Sequence, residues 1–309
     1  MIITVTMNPA IDRTLEIDSL VRGGLNRIGR VEYDAGGKGI NVSRTIRELG
    51  GKTIATGFLG GNSGRIIADI LKAEGIESDF VQVNGETRTN TKVCEKNGVL
   101  TELNEPGPLI TEKQVEELKD KLLRYAGTGT LFVLSGSIPV GVTEDTYAKI
   151  IRMIHEKGAE VLLDADGNAF RLGLEALPDI IKPNCAELEE YAGMTCGLSE
   201  EGIIKTAEEF RKKGIGTVAV SMGQSGALFL LGGKKGEVSC APGEGLLYGR
   251  SGRCHGGGAG PGQGPATCRR RDDPPLYGSV RRSSNYFWNE TAAQRAGRKI
   301  KKTGYDLIF

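Results

Sequence analysis

Residues 131–166 read LFVLSGSIPVGVTEDTYAKIIRMIHEKGAEVLLDAD. A short apolar run (LFVLS), a segment of helical period and a second apolar run (AEVLLDAD) follow one another. In the middle segment Tyr147, Ile150, Ile151 and Ile154 stand at i, i+3, i+4 and i+7, which gathers them on one face of a helix over 143–157. Thr143 can cap the start of that helix, and Gly158 sits where a stop is expected. The flanking runs are apolar without alternation, as strands covered on both faces are.

The same rhythm extends outward. IITVTM, 40–49, TIATGFLG and 62–74 precede the quoted stretch, and 186–193, 200–213 and TVAVSM follow it. Strands alternating with helices predict an α/β fold, a doubly wound and mostly parallel sheet with helices on both faces. Two regions break the pattern, roughly 13–35 and 87–105, where polar and apolar residues alternate with period two. Such strands are wet on one face. They predict a small antiparallel sheet standing off the main one, as a lid or a subunit contact; two ordinary edge hairpins are the other reading.

With 309 residues, 39% hydrophobic and 26% charged, the chain can bury a sizeable core. A net charge of +1 gives no global attraction for nucleic acid or a membrane surface. Six cysteines without a C-x-x-C pair, beside two histidines, indicate neither a zinc site nor a disulfide framework. MIITVTMNPAID has no basic segment before its apolar run, and no stretch approaches about 18 uncharged apolar residues. Neither a signal peptide nor a span is expected, and the expected location is cytoplasmic.

Several short motifs carry chemistry. Gly36-Gly37-Lys38-Gly39-Ile40-Asn41 runs into a helix, so backbone N–H groups and a lysine converge at the positive end of a helix dipole, a place that suits an anion. A glycine turn before a helix is also ordinary structure, and no Walker loop occurs. Asp12 follows the first strand, at the end where doubly wound sheets bind ligands; it can accept from sugar hydroxyls or simply form a turn. Arg88, in TRTN with Asn90, has the planar fork that grips a phosphate, unless it is a surface arginine. Lys182-Pro183-Asn184-Cys185-Ala186-Glu187 opens another helix. Its Asn184 and Glu187 can reach Mg²⁺ through water, cap the helix, or do both. Ser221-Met222-Gly223-Gln224-Ser225-Gly226 forms a glycine turn that allows close approach of a nucleotide.

Taken in order, NPAID, AGGKGIN, GFLGGNSG, TRTN, LSGSIPVG, IKPNCAEL and VSMGQSGAL resemble the signature stretches of the ribokinase-like PfkB family of sugar kinases over about the first 240 residues. The resemblance implies a ribokinase-like domain over 1–242 with a β-sheet lid often used for dimerisation, and ATP with Mg²⁺ as cofactors. It implies Asp12, Gly37, Lys38, Asn41 and Asn90 at the sugar and Arg88 at the substrate's phosphate. Lys182, Asn184 and Glu187 would lie near Mg²⁺ and the ATP phosphates, and Ser221, Gly223 and Gly226 at the nucleotide. Lys38 and Arg88 together imply a substrate that already bears a phosphate. The opening MIITVTMNPAID and the stretch TELNEPGP narrow this to the kinases of fructose 1-phosphate, with tagatose 6-phosphate as the alternative substrate.

The resemblance stops near residue 243. Of 40 basic and 39 acidic residues, 12 and 5 fall in 244–309, so a body of charge −6 is joined to a tail of +7. Apolar periodicity disappears there, and the composition is that of a disordered basic linker. Without interleaved aromatics or a fold signature, nucleic-acid binding is not the expected use, though a non-catalytic sugar-phosphate- or nucleic-acid-binding protein with a genuine tail is the alternative. The family requires here a stretch of the type S-T-V-G-A-G-D-A-M-V-A-A-L, whose glycine amides form an anion hole and whose Asp is the catalytic base; this chain has neither. Reading the codons of 247–260 one base later can yield that stretch, and Tyr286–Ala293 read the same way can yield the family-like T-S-G-T-x-Q-P-P. The glycine in the second is forced, because Trp288 has a single codon. The tail is therefore expected to be the product of a frameshift near 242–244, the catalytic Asp to be missing, and the chain as written to be inactive.

Overall fold

This computed structural model describes residues 1–193, 199–231 and 234–238. Strand β1 (Ile2–Thr6) leads into β2 (Ala10–Ile17) and β3 (Arg30–Gly36), followed by helix α1 (Lys38–Glu48), β4 (Thr53–Gly60) and α2 (Gly61–Ala73). The short strands β5 (Glu77–Ser78) and β6 (Val81–Val83) precede β7 (Arg88–Glu95) and β8 (Leu100–Asn104). Then come α3 (Glu112–Tyr125), β9 (Leu131–Ser135), α4 (Thr146–His155), β10 (Glu160–Asp164), α5 (Gly167–Leu174) and β11 (Ile180–Ile181). Helices α6 (Cys185–Ala192) and α7 (Glu200–Lys212) and strands β12 (Thr217–Ser221), β13 (Ala227–Leu231) and β14 (Lys234–Val238) complete the described chain.

The main sheet has the order β14-β13-β12-β11-β10-β9-β1-β4-β5, with β6 also paired to β4. Its pairs from β4 across to β12 are parallel, and β13 and β14 are added antiparallel. Alternation along β1 decides which helices cover which face. Ile3 and Val5 meet Leu118 and Leu122 of α3, Ile150 and Ile154 of α4, Phe170 of α5 and Phe210 of α7 in the largest core. On the opposite face Val42 and Ile46 of α1 pack on Leu131, Val133 and Leu162. Ile67 and Leu71 of α2 pack with Ile40, Ala55 and Leu59. Each such Ile or Leu, buried from water, contributes about 1.5–3 kcal/mol, which fixes the helices and so the loops that follow the strands.

Two local expectations are corrected. Helix α4 starts at Thr146, with Asp145 at the cap position, and not at Thr143. The Thr143 hydroxyl is occupied in the preceding turn, bonded to Asp145 Oδ1 and to the Thr146 hydroxyl. Gly158 does end the segment, in the left-handed region at φ 73°. The small sheet is mixed and not wholly antiparallel: its order is β3-β2-β7-β8, and β2 pairs with β7 in parallel. The reason is that both hairpins leave the body with their first strands side by side, Ala10 opposite Arg88. The hairpins thus form one lid. Among the described residues no helix is long and apolar enough to cross a membrane. The tail from 243 and the motif missing from it lie outside the described residues.

Candidate active site

The lid presents one polar face. Because side chains alternate, Arg88, Asn90 and Lys92 of β7 point the same way, as do Asp12 and Thr14 of β2, and the register sets Asp12 beside Asn90 and Thr14 beside Lys92. Asp12 Oδ1 accepts from Asn90 Nδ2 at 3.2 Å, and Asp12 Oδ2 accepts from Lys92 Nζ at 2.8 Å. Gly36 lies across from Ala10, and a Cβ there would come within 2.6 Å of the Asp12 carboxyl carbon. The glycine makes room for that carboxylate. Gly37 then turns the chain into α1 at φ 128°, a conformation that excludes other residues, with Thr6 too close for any side chain.

Arg88 stands at the start of β7. Its Nε and Nη2 donate to the Asn8 carbonyl at 3.3 and 3.1 Å, and its Nη1 donates to the Glu105 carbonyl at 3.1 Å. The guanidinium is thereby oriented on the wall of a cleft of about 630 Å³, shared with Asn84, Glu86, Gly107 and Leu109. Asn8 also donates through Nδ2 to the Ser137 hydroxyl, so the end of β1, the lid edge and the loop after β9 are tied together.

A second cluster forms at the C-terminal ends of the main strands. Asp164, the last residue of β10 and 1% exposed, accepts from Lys38 Nζ at 3.2 Å and lies 3.3 Å from Lys182 Nζ. Lys38 Nζ is also 3.7 Å from Glu187 Oε1. Burial favours loss of the Lys38 proton, but Asp164 and then Glu187 outweigh it and hold the ammonium above its usual range. Burial pushes the Glu187 carboxyl up, with Lys38 pulling the other way. Asn184 and Glu187 form a capping box on α6: Asn184 Oδ1 accepts from the Glu187 amide at 2.9 Å, and Glu187 Oε2 accepts from the Asn184 amide at 3.0 Å. Asn184 bridges to Ser221, beyond which Met222 N closes a turn on Gly226 O, with Gly223 and Gly226 at φ 59° and 95°.

Lys38, Lys182, Asn184, Glu187, Ser221, Gly223 and Gly226 are thus brought to one edge. Asp12 and Asn90 meet on the lid, and Asn41 sits on α1, its amide donating to Gly37 O. Arg88 shares the lid face and donates to the backbone carbonyls of Asn8 and Glu105. Sequence reading missed Asp164 and Lys92. An Asp ending an apolar strand was the available signal for the first; a lysine in a polar-apolar alternation carried none for the second.

Two ammoniums and two helix starts suit a polyphosphate. Among the described residues no three acidic, His or Cys side chains are grouped to hold a metal directly. Carboxylate oxygens close to ammoniums suit Mg²⁺, which keeps its waters and binds largely through substrate phosphates. The residues present fit ATP with Mg²⁺ on those terms: Asn184 and Glu187 would reach the ion through water, and Lys38 and Lys182 would hold the phosphates.

The chain is 38% identical over 234 residues to the 1-phosphofructokinase of Borreliella burgdorferi, which spans 76% of this chain and 75% of that protein. It is 38% identical over 192 residues to the tagatose-6-phosphate kinase of Staphylococcus epidermidis, 62% of each chain. The crystal structure of phosphofructokinase-2 from Escherichia coli in complex with fructose-6-phosphate superposes with a TM-score of 0.74 at 27% identity, covering 78% of this chain and 80% of that one. The family model for pfkB carbohydrate kinases matches residues 2–245, and the chain belongs to that family of sugar kinases.

Proposed function

We propose that the chain is built to transfer the γ-phosphoryl of ATP to a ketose phosphate, with fructose 1-phosphate as the substrate and tagatose 6-phosphate as the closest competitor. The observation that carries this reading is the lid face on which Arg88, Asn90 and Asp12 stand in line, a guanidinium for an anion beside a carboxylate for hydroxyls. A neutral sugar offers Arg88 no anion, which disfavours kinases of unphosphorylated sugars and nucleosides. Asp12 accepts from sugar hydroxyls, Asn90 steadies it, and Arg88 grips the substrate's existing phosphate. Lys38 and Lys182 offset charge on the transferred group. Bound Mg²⁺·ATP supplies the phosphoryl group and a cation that neutralises it in flight.

We further propose that this chain binds substrate without turning it over. The family's Asp base and anion hole find no counterpart in its sequence, and the frameshift reading accounts for the +7 tail joined to a −6 body. A cytoplasmic setting and a homodimer joined through the lid belong to the same proposal. Calorimetric titration of the full chain tests the substrate side: fructose 1-phosphate is expected to bind saturably and fructose not. Arg88→Ala should weaken sugar-phosphate binding by about 2–4 kcal/mol, the cost of a charge-assisted bidentate contact, while leaving ATP binding unchanged. Equal affinity of the variant for fructose 1-phosphate would refute the assignment of Arg88.

A further inference from the structure

Lys92 is among the largest fully buried side chains of the described residues, 1% exposed, on a strand otherwise read as half-wet. Its ammonium lies 2.8 Å from Asp12 Oδ2, across a register that sets it beside Thr14, one step further up the same lid face. A buried lysine costs free energy unless paired, and a pair between lid strands adds little stability that an apolar pair would not. Its position is better explained by what it does to Asp12. With Nζ on one oxygen, Asn90 Nδ2 on the other and Gly36 leaving space beneath, the carboxylate is held in one orientation.

We propose that Lys92 is a positioning residue for the sugar: it fixes the orientation of the Asp12 carboxylate, so that Asp12 presents its oxygens to a ligand offering hydroxyl donors at that point. Lys92 need not touch the substrate. The inference rests on the reading of Asp12 as a sugar ligand, and the test separates the two.

Fructose 1-phosphate is titrated calorimetrically into the full chain and into Lys92→Met, Lys92→Arg, Asp12→Asn and the Lys92→Met/Asp12→Asn double variant, with a melting curve for each. Asp12→Asn and Lys92→Met should each weaken binding by about tenfold to a hundredfold. Because Lys92 acts through Asp12, the double variant should bind no more weakly than Asp12→Asn alone. Lys92→Arg, which keeps the charge, should regain most of the loss. A purely structural lysine would instead lower the melting temperature and give additive losses in binding. If Lys92→Met does not fold, the double variant, in which neither charge is buried, and Lys92→Arg decide. Parent-like affinity in Lys92→Met, or a double variant clearly weaker than Asp12→Asn, overturns the proposal while the sugar site stands. Unchanged binding in Asp12→Asn, or no binding by the parent chain, overturns the site and the proposal with it.

Discussion

At the scale of single residues, Asn184 and Glu187 form a cap that the proposed function also assigns to Mg²⁺·ATP. Each donates its amide to the other's side chain, and Glu187 has its second oxygen turned to Lys38. Burial raises the Glu187 carboxyl above its usual value. For such a group the folded state holds its proton more tightly, so stability is lost as pH rises from about 4.3 through the raised value. At neutral pH the ionised form is therefore a cost that an amide avoids. Glu187→Gln, which keeps an acceptor for the Asn184 amide, should melt at the parent temperature or above it while binding Mg²⁺·ATP about tenfold or more weakly. A clear drop in melting temperature would show that the carboxylate is there for stability. The cap was legible because its residues are three apart. Asp164 and Lys92 were not, because their partners Lys38 and Asp12 lie 126 and 80 residues away in sequence.

At the scale of elements, the lid is anchored on one side and open on the other. Arg44 of α1 donates to both oxygens of Glu74, to Asp34 Oδ1 and to the Ala35 carbonyl, locking β3 onto α1 and the end of α2. The face opposite Asp12 carries the row Tyr33, Arg13, Thr91 and Leu103, in which Tyr33 and Leu103 are each 60% exposed. Val31, Leu15 and Val93 follow in the next row. Tyr33, Val31 and Leu103 leave exposed apolar surface on this face, and such surface on a sheet marks a contact. Sedimentation equilibrium should give a dimer, and Tyr33→Glu with Leu103→Glu should give a folded monomer; a monomeric parent would remove the lid contact. Period-two alternation made these strands readable, but not their mixed pairing, since register between distant hairpins is set by packing on the body. Helix α3 went unread between the motifs, although Thr111 and Gln114 form its capping box and Val115, Leu118 and Leu122 its buried face.

At the scale of the whole molecule, the proposed reading gives the described body the means to hold a sugar phosphate and a nucleotide, while the sequence beyond it has no counterpart of the group that would move the proton. General-base catalysis is typically worth about 10²–10⁴-fold, and an oxyanion-type hole about 10²–10³-fold more. Losing both takes turnover to background even where binding survives. The direct test compares ATP-dependent phosphorylation of fructose 1-phosphate by the chain as given and by a version whose gene lacks one base upstream of codon 247. The expected result is saturable sugar-phosphate binding by both and turnover of about 1–100 s⁻¹ by the second alone. Turnover at that rate by the chain as given would contradict it.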